Sequence, residues 1–296
     1  MGGSLRNPGN FNNVVGFRPS PGVVPDTPSP ALGNLAVSGP MARSVADAAF
    51  LLSVIAGADE RDPASLALDP RAFATPLDRD ARGVRIAWCP DLGRLPLDRR
   101  VREVLDAQRK VFEDLGCAVE EACPDLRDAD PIFLALRAAT LAALLGPLLV
   151  RRRDALKPEA IWNIEAGLAL STSDVERASA AQGALVERMR RFFEGHDFLV
   201  CAVNQVPPFD AELDWPKQIE GVPMEHYVAW MKSAYWISAT LSPAISVPAG
   251  FTPEGLPVGI QIVGRLRDDR GVLEIAHAFE QATRVGRRRP PLAALA

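Results

Sequence analysis

The stretch 83–122 constrains this chain more than any other. A short β-rich run, VRIAWCP, stops at Pro90; an amphipathic helical pattern over 98–115 closes at Gly116; CAVEEA then reads as a second strand. Two strands joined by a helical crossover lie parallel in one sheet, so the chain belongs to the α/β class. The segment 197–203 (DFLVCAV) has the length and β-branching of a buried strand. Residues 244–248 and 256–263 read as strands of a hairpin turned by FTPEG. Ser44 is placed to cap a helix with apolar positions at Val45, Ala48, Ala49, Leu52 and Ile55, stopped by Gly57. Residues 129–193 read as helical, interrupted near Gly146–Pro147 and Lys157–Pro158, with Ser173 or Asp174 capping the last piece. Further helices are expected over 225–241 and 269–284. Residues 1–40 hold seven prolines and read as a long surface loop, with a short strand at 13–17. This makes about six helices and five strands with no repeat or flexible linker, and one continuous domain over 1–296.

Composition narrows the function. With 33 Lys and Arg against 37 Asp and Glu, a pI near 5.5 and no basic tract, the chain lacks the footprint of a nucleic-acid binder. A hydrophobic fraction of 48% and a charged fraction of 24% fit a folded chain. The longest apolar run, 138–150, is broken by Gly146 and Pro147, so no membrane span is expected. Cys89, Cys117, Cys123 and Cys201 are scattered without a CxxC, which argues against a disulfide scaffold, and Cys201 reads as a small buried hydrophobe. The polar start has no signal-peptide core, and the expected compartment is the cytoplasm. His196, His226 and His277 are too few and too scattered for a metal site or a Ser–His–Asp triad, so neither metal nor cofactor is expected. Asp268 and Asp269 are expected to cap the last helix. A homodimer is allowed.

The chemistry concentrates at the opening, MGGSLRNP. Two glycines admit backbone conformations closed to other residues and let a substrate approach the main chain. A serine directly after them can expose its hydroxyl while successive N–H groups converge on one point. Attack on a carbonyl needs that convergence, because donors must face the oxygen on which charge develops.

Three longer blocks accompany this opening, in order: GGSLRNPGNFNNVVGFRPSPG; NLAVSGPMARSVADAAFLLSVIAGADERDPAS; and PAISVPAGFTPEGLPVGIQIVGR with DDRGVLEIAHAFE. Together they resemble the amidase signature family over residues 1 to about 283. The resemblance implies an α/β/α sandwich with a mixed central sheet, here incomplete, and hydrolysis of carboxylic amides by a Ser–cis-Ser–Lys triad. It assigns the nucleophile to Ser4 and the oxyanion hole to the N–H groups of Met1, Gly2, Gly3 and Ser4. Arg6 becomes a structural residue that steadies the loop. Tyr227, Trp230 and Trp236, on one expected helix where the family builds its variable acyl pocket, form the expected substrate wall for a small-molecule amide.

In the family the lysine and the cis-serine precede the nucleophile, and this chain holds neither in a matching position. Its four lysines (Lys110, Lys157, Lys217 and Lys232) lie far downstream. Met1 is then expected to be an internal methionine of a longer protein, and the chain a truncated form with an open sheet edge, poor solubility and negligible activity by itself. Two alternatives accompany the amidase reading. One is the A-type subunit of an amidotransferase; the other is a non-catalytic remnant serving binding or assembly.

Overall fold

Alternation of side chains along each central strand sorts the apolar residues onto two faces, and helices cover both. The computed structural model describes residues 1–26 and 35–290; residues 27–34 of the expected proline-rich loop lie outside the described residues. The helices are α1 (Arg6–Phe11), α2 (Val45–Ile55), α3 (Arg99–Asp114), α4 (Ala129–Arg151), α5 (Pro158–Leu168), α6 (Thr172–Gly195), α7 (Lys232–Ala239) and α8 (Asp269–Thr283). The strands are β1 (Val15–Arg18), β2 (Met41–Ala42), β3 (Arg85–Trp88), β4 (Ala118–Glu121), β5 (Phe198–Ala202), β6 (Gln218–Ile219), β7 (Val222–Pro223), β8 (Ala244–Phe251) and β9 (Pro257–Gly264).

Seven strands form one mixed sheet in the order β2-β1-β8-β9-β5-β3-β4. The pairs β3–β4 and β3–β5 are parallel, as the strand–helix–strand reading requires, and the other pairs are antiparallel. On one face Ile86, Phe198, Val200, Ile260 and Ile262 pack under α2, α3 and α8; on the other Ala87, Leu199, Cys201 and Val263 pack under α4, α6 and α7. The fold is thus an α/β/α sandwich with a mixed central sheet. Its β2 edge is only two residues long, and beside it Phe50 and Val54 of α2 stand 65% and 67% exposed.

Several local expectations need correction. The opening is not all loop: α1 forms at Arg6–Phe11, because Pro8 falls in the first turn, where its missing N–H has no helical partner to lose. Gly146–Pro147 does not divide α4, since Pro147 sits in an exposed stretch near the C-terminal end and forfeits little there. The 23-residue α4 is therefore long and apolar enough, by length and composition, to cross a membrane; a third of its most apolar window is buried inside this fold. Ser171, not Ser173 or Asp174, caps α6, and Asp174 returns the bond in a capping box. The helix expected over 225–241 is confined to Lys232–Ala239, preceded by a 3₁₀ turn at Ala229–Met231. Cys89 and Cys123 are joined in a single disulfide between the ends of β3 and β4, with Cα atoms 5.3 Å apart. Their separation of 34 residues hid that proximity, which only the parallel pairing of the two strands creates. The caps at Ser44 and Asp268 lie where expected, but Asp269 does not cap the last helix: its carboxylate accepts from Ser20 N–H at 2.7 Å.

Candidate active site

The opening segment turns at Gly3 and crosses β1 over Gly16, whose missing Cβ leaves room for the Leu5 backbone. Gly3 adopts φ +114°, and a Cβ there would sit 2.6 Å from Asn7 Oδ1 and 2.8 Å from Ala234 Cβ. From that turn the chain enters α1: Asn7 N–H donates to Gly3 O at 2.7 Å and Gly9 N–H to Leu5 O at 3.1 Å. The underside of α1 carries Arg6 and Asn10, one helical turn apart and both buried. Asn10 Nδ2 donates to Asn204 Oδ1 at 3.0 Å, and Asn10 Oδ1 accepts from Gly259 N–H of β9. Arg6 donates from Nη1 to Gln261 of β9 and from Nη2 to Ser238 Oγ of α7, the latter at 2.6 Å. Its Nε has no hydrogen-bond partner among the described residues. Arg6 thus steadies the loop, as expected.

Burial pulls the Arg6 guanidinium down to about 9, with repulsion from Arg18 adding to it. Burial likewise brings Arg18 to about 10 against the opposing pull of Asp269. Both stay charged at neutral pH, so the floor beneath the opening segment is positive. Arg6→Ala removes two charge-assisted bonds and leaves the Gln261 carbonyl less satisfied; a stability loss of about 2 kcal/mol is expected in urea denaturation.

Ser4 stands at the N-terminal approach to α1, exposed, with no hydrogen-bond partner for its hydroxyl among the described residues. The N–H groups of Gly2, Gly3 and Ser4 donate to none of those residues either. Met1, Gly3, Ser4, Arg6 and Arg18 border a cavity of about 20 Å³, the size of a single water. On the other side Gly2 and Ser4 open onto a cavity of about 390 Å³ walled by Phe11, Arg137, Val228, Trp230 and Met231. Met1, Gly2, Gly3 and Ser4 therefore meet at one place.

Of the aromatic wall, only Trp230 lines this cavity; it stacks on Phe11 with centroids 5.7 Å apart and meets Phe209 edge-on at 5.2 Å. Tyr227 stands behind it, its hydroxyl accepting from Arg137 Nη2 and from Asn163 Nδ2 at 2.8 Å. Trp236 is a correction. Its indole faces Arg94 at 4.9 Å and donates to Asp130 at 3.3 Å, in a separate cavity of about 450 Å³. The expected single helix put Tyr227, Trp230 and Trp236 on one surface, and the break before Lys232 separates them. Arg137 was missed, although it is the one charged residue between Asp130 and Arg151 in an otherwise apolar helix.

No lysine lines either cavity beside Ser4 among the described residues. Lys232 is paired with Asp130 at 2.8 Å, Lys110 with Asp114 at 2.7 Å, and Lys217 lies 3.5 Å from the Trp215 ring centroid. His196 contacts Glu120 at 2.8 Å, His226 stacks on Trp162 at 5.5 Å, and His277 lies 3.9 Å from Glu280. No cluster of metal-ligating side chains occurs among the described residues. Cys201 is fully buried, and desolvation pushes its thiol up to about 12.

The fold is an α/β/α sandwich with a mixed sheet and a serine on a glycine turn between two cavities, and comparison with known proteins shows the family to which it belongs. Residues 1–273 match the family model described as Amidase, and the chain belongs to that family. It is 32% identical over 282 residues to an acylamidase of Rhodococcus erythropolis, covering 94% of this chain and 59% of that protein. It is 30% identical over 312 residues to the A-type subunit of the glutamyl-tRNA(Gln) amidotransferase of Thermodesulfovibrio yellowstonii, covering 95% and 62%. Among solved structures, a bacterial aryl acylamidase of the amidase signature family superposes with a TM-score of 0.84 at 26% identity, covering 98% of this chain and 63% of that one. A 6-aminohexanoate cyclic dimer hydrolase shares the fold at a TM-score of 0.86 and 20% identity, over 98% and 65% of the two chains. The chain spans about three fifths of the length of the curated relatives it matches.

Proposed function

We propose that this chain carries the nucleophile and acyl pocket of an amidase, cleaving a carboxylic amide C–N bond through a serine acyl-enzyme. The observation that carries the reading is the exposed Ser4 hydroxyl on a glycine turn, beside uncommitted N–H groups and open to a cavity of about 390 Å³. In this reading Ser4 Oγ attacks the amide carbonyl carbon, and the N–H groups of the turn receive the charge that forms on the carbonyl oxygen. The C–N bond breaks, the amine leaves with a proton, and water then releases the acid and frees Ser4. Family membership and the acylamidase relative support the reaction class. The amidotransferase relatives support a second reading, in which the same amide hydrolysis serves a larger assembly and partner chains are required.

No Lys, His, Asp or Glu side chain lines either cavity beside Ser4 among the described residues, and a positioned base is worth roughly 10²–10⁴ in rate. Amide turnover by this chain is therefore expected to stay near background. An activated ester needs less proton transfer and exposes the nucleophile directly. With p-nitrophenyl acetate, an early release of nitrophenolate approaching one per chain is expected, followed by slow turnover, and Ser4→Ala should abolish the burst. A burst unchanged in Ser4→Ala would assign the acylation to another residue.

A further inference from the structure

Among the described residues, Arg137 is the one cation on the wall of the cavity that Ser4 enters, and it has no anionic partner there. Its Nε donates to Asn163 Oδ1 at 3.2 Å and its Nη2 to the Tyr227 hydroxyl; both acceptors are neutral. The Phe133 and Tyr227 rings lie 5.9 Å from its guanidinium carbon. No carboxylate comes within 4.0 Å of it among the described residues, and neither 27–34 (TPSPALGN) nor 291–296 (PLAALA) contains an Asp or Glu. Most arginines elsewhere in the chain behave differently: Arg85, Arg102, Arg188 and Arg190 each hold a carboxylate at 2.9 Å or less.

The neighbours of Arg137 fix its direction. Asn163 on α5 and Tyr227 ahead of α7 occupy one side of the planar fork, and Nη1 makes no hydrogen bond among the described residues. A guanidinium held in this way, against aromatic rings and with one edge open to a cavity, is preorganised to receive a second planar fork, and a carboxylate matches it in both shape and charge. The rest of the wall is largely apolar, with Phe11, Val228, Trp230 and Met231 suited to a short hydrocarbon spacer. Arg6 and Arg18 beneath Ser4 add to the positive potential of the same region.

We infer that Arg137 is a specificity-determining residue that binds a carboxylate on the acyl portion of the substrate, so that the preferred substrate is the monoamide of a short dicarboxylic acid. This inference rests on the amidase reading, because it takes the cavity beside Ser4 as the acyl pocket. Binding tests it without asking for turnover.

Succinamate and its neutral counterpart succinamide differ only in a carboxylate against a carboxamide. Titrated into the chain at low ionic strength and followed by calorimetry, succinamate is expected to bind about tenfold tighter or better. Arg137→Gln should erase that preference. Arg137→Lys, which keeps the charge but loses the fork, should retain part of it and shows that the site tolerates substitution. Equal binding of the two amides, binding of neither, or a preference that survives in Arg137→Gln overturns the inference. A preference that depends on Arg137 in a chain giving no ester burst supports the anion site while removing the amidase reading, so the two failures are distinguishable.

Discussion

Gly16→Ala is expected to displace the opening segment that carries Ser4 without touching it covalently. Gly16 lies in β1, paired with Met41 of β2 and Ser246 of β8, and the backbone of the opening segment crosses directly over it. A Cβ at this position would stand 2.1 Å from Leu5 O, 2.7 Å from Leu5 C and 3.3 Å from Arg6 Cα. All three contacts are with backbone, so no side chain can swing aside. Either the sheet gives way or the segment lifts from it by roughly an ångström or more. Lifting would carry off the Arg6 bonds to Gln261 and Ser238 and move Ser4 away from its cavity. A stability loss of about 3 kcal/mol is expected, at the upper end for overpacking. Misplacement on this scale also costs roughly 10²-fold in reactivity, because attack depends on sub-ångström alignment. Urea denaturation and the ester burst measured on the same sample check both effects. A variant of unaltered stability with a normal burst would show that the opening segment is not seated on β1.

The second large effect is expected at Asp130, near the start of α4. Its carboxylate accepts from Lys232 Nζ at 2.8 Å, from the Tyr235 hydroxyl, and from Trp236 Nε1 at 3.3 Å, and so ties α4 to α7. Tyr235 also stacks on Phe133 of α4 with centroids 4.1 Å apart. Asp130→Ala leaves a half-buried ammonium and two buried donors without their acceptor. Stripping one partner from a buried ion pair costs roughly 3–5 kcal/mol; allowing for the partial exposure of this pair, about 3 kcal/mol is expected. The pH dependence has a definite sign. Although burial alone would raise it, the bonds from Lys232, Tyr235 and Trp236 leave the Asp130 carboxyl below its ordinary value. The stability it contributes is therefore fully present above the ordinary aspartate value of about 3.9 and is lost as pH falls through the lowered one. Denaturation midpoints measured from neutral pH down to about pH 3 should fall more steeply in the native chain than in Asp130→Ala. Parallel curves would show that this carboxylate is not held by its partners.

How far the sequence could be read depended on whether a feature was local. The strands at 85–88 and 118–121 and the helix between them were legible because period and turn residues lie within the segment itself. So were the caps at Ser44 and Asp268, which need only a side chain and the N–H two or three residues on. α1 was not, because Pro8 signals a break unless the helix start is known to lie just before it. The Cys89–Cys123 bridge and the separation of Trp236 from Trp230 depend on how distant segments meet, and no local pattern encodes that. The proposal of Ser4 as nucleophile rests on its two glycines and the blocks that follow, and its exposed place beside a cavity of about 390 Å³ emerges only from the fold. Arg137 left a readable trace, a single charge in an apolar helix, but the neutrality of Asn163 and Tyr227 around it emerges only from packing.

Fluorophosphonate labelling with the modified peptide located by mass spectrometry addresses the central claim most directly. Such probes phosphonylate activated serine hydroxyls, and a hydroxyl without its base keeps only the residual advantage that main-chain donors and binding give, roughly 10³–10⁴ over water in a triad lacking one member. The prediction is slow, selective modification of Ser4 that is absent in Ser4→Ala and weakened in Gly16→Ala. Modification spread over many serines, or a selectively labelled peptide that does not contain Ser4, would contradict the assignment of the nucleophile.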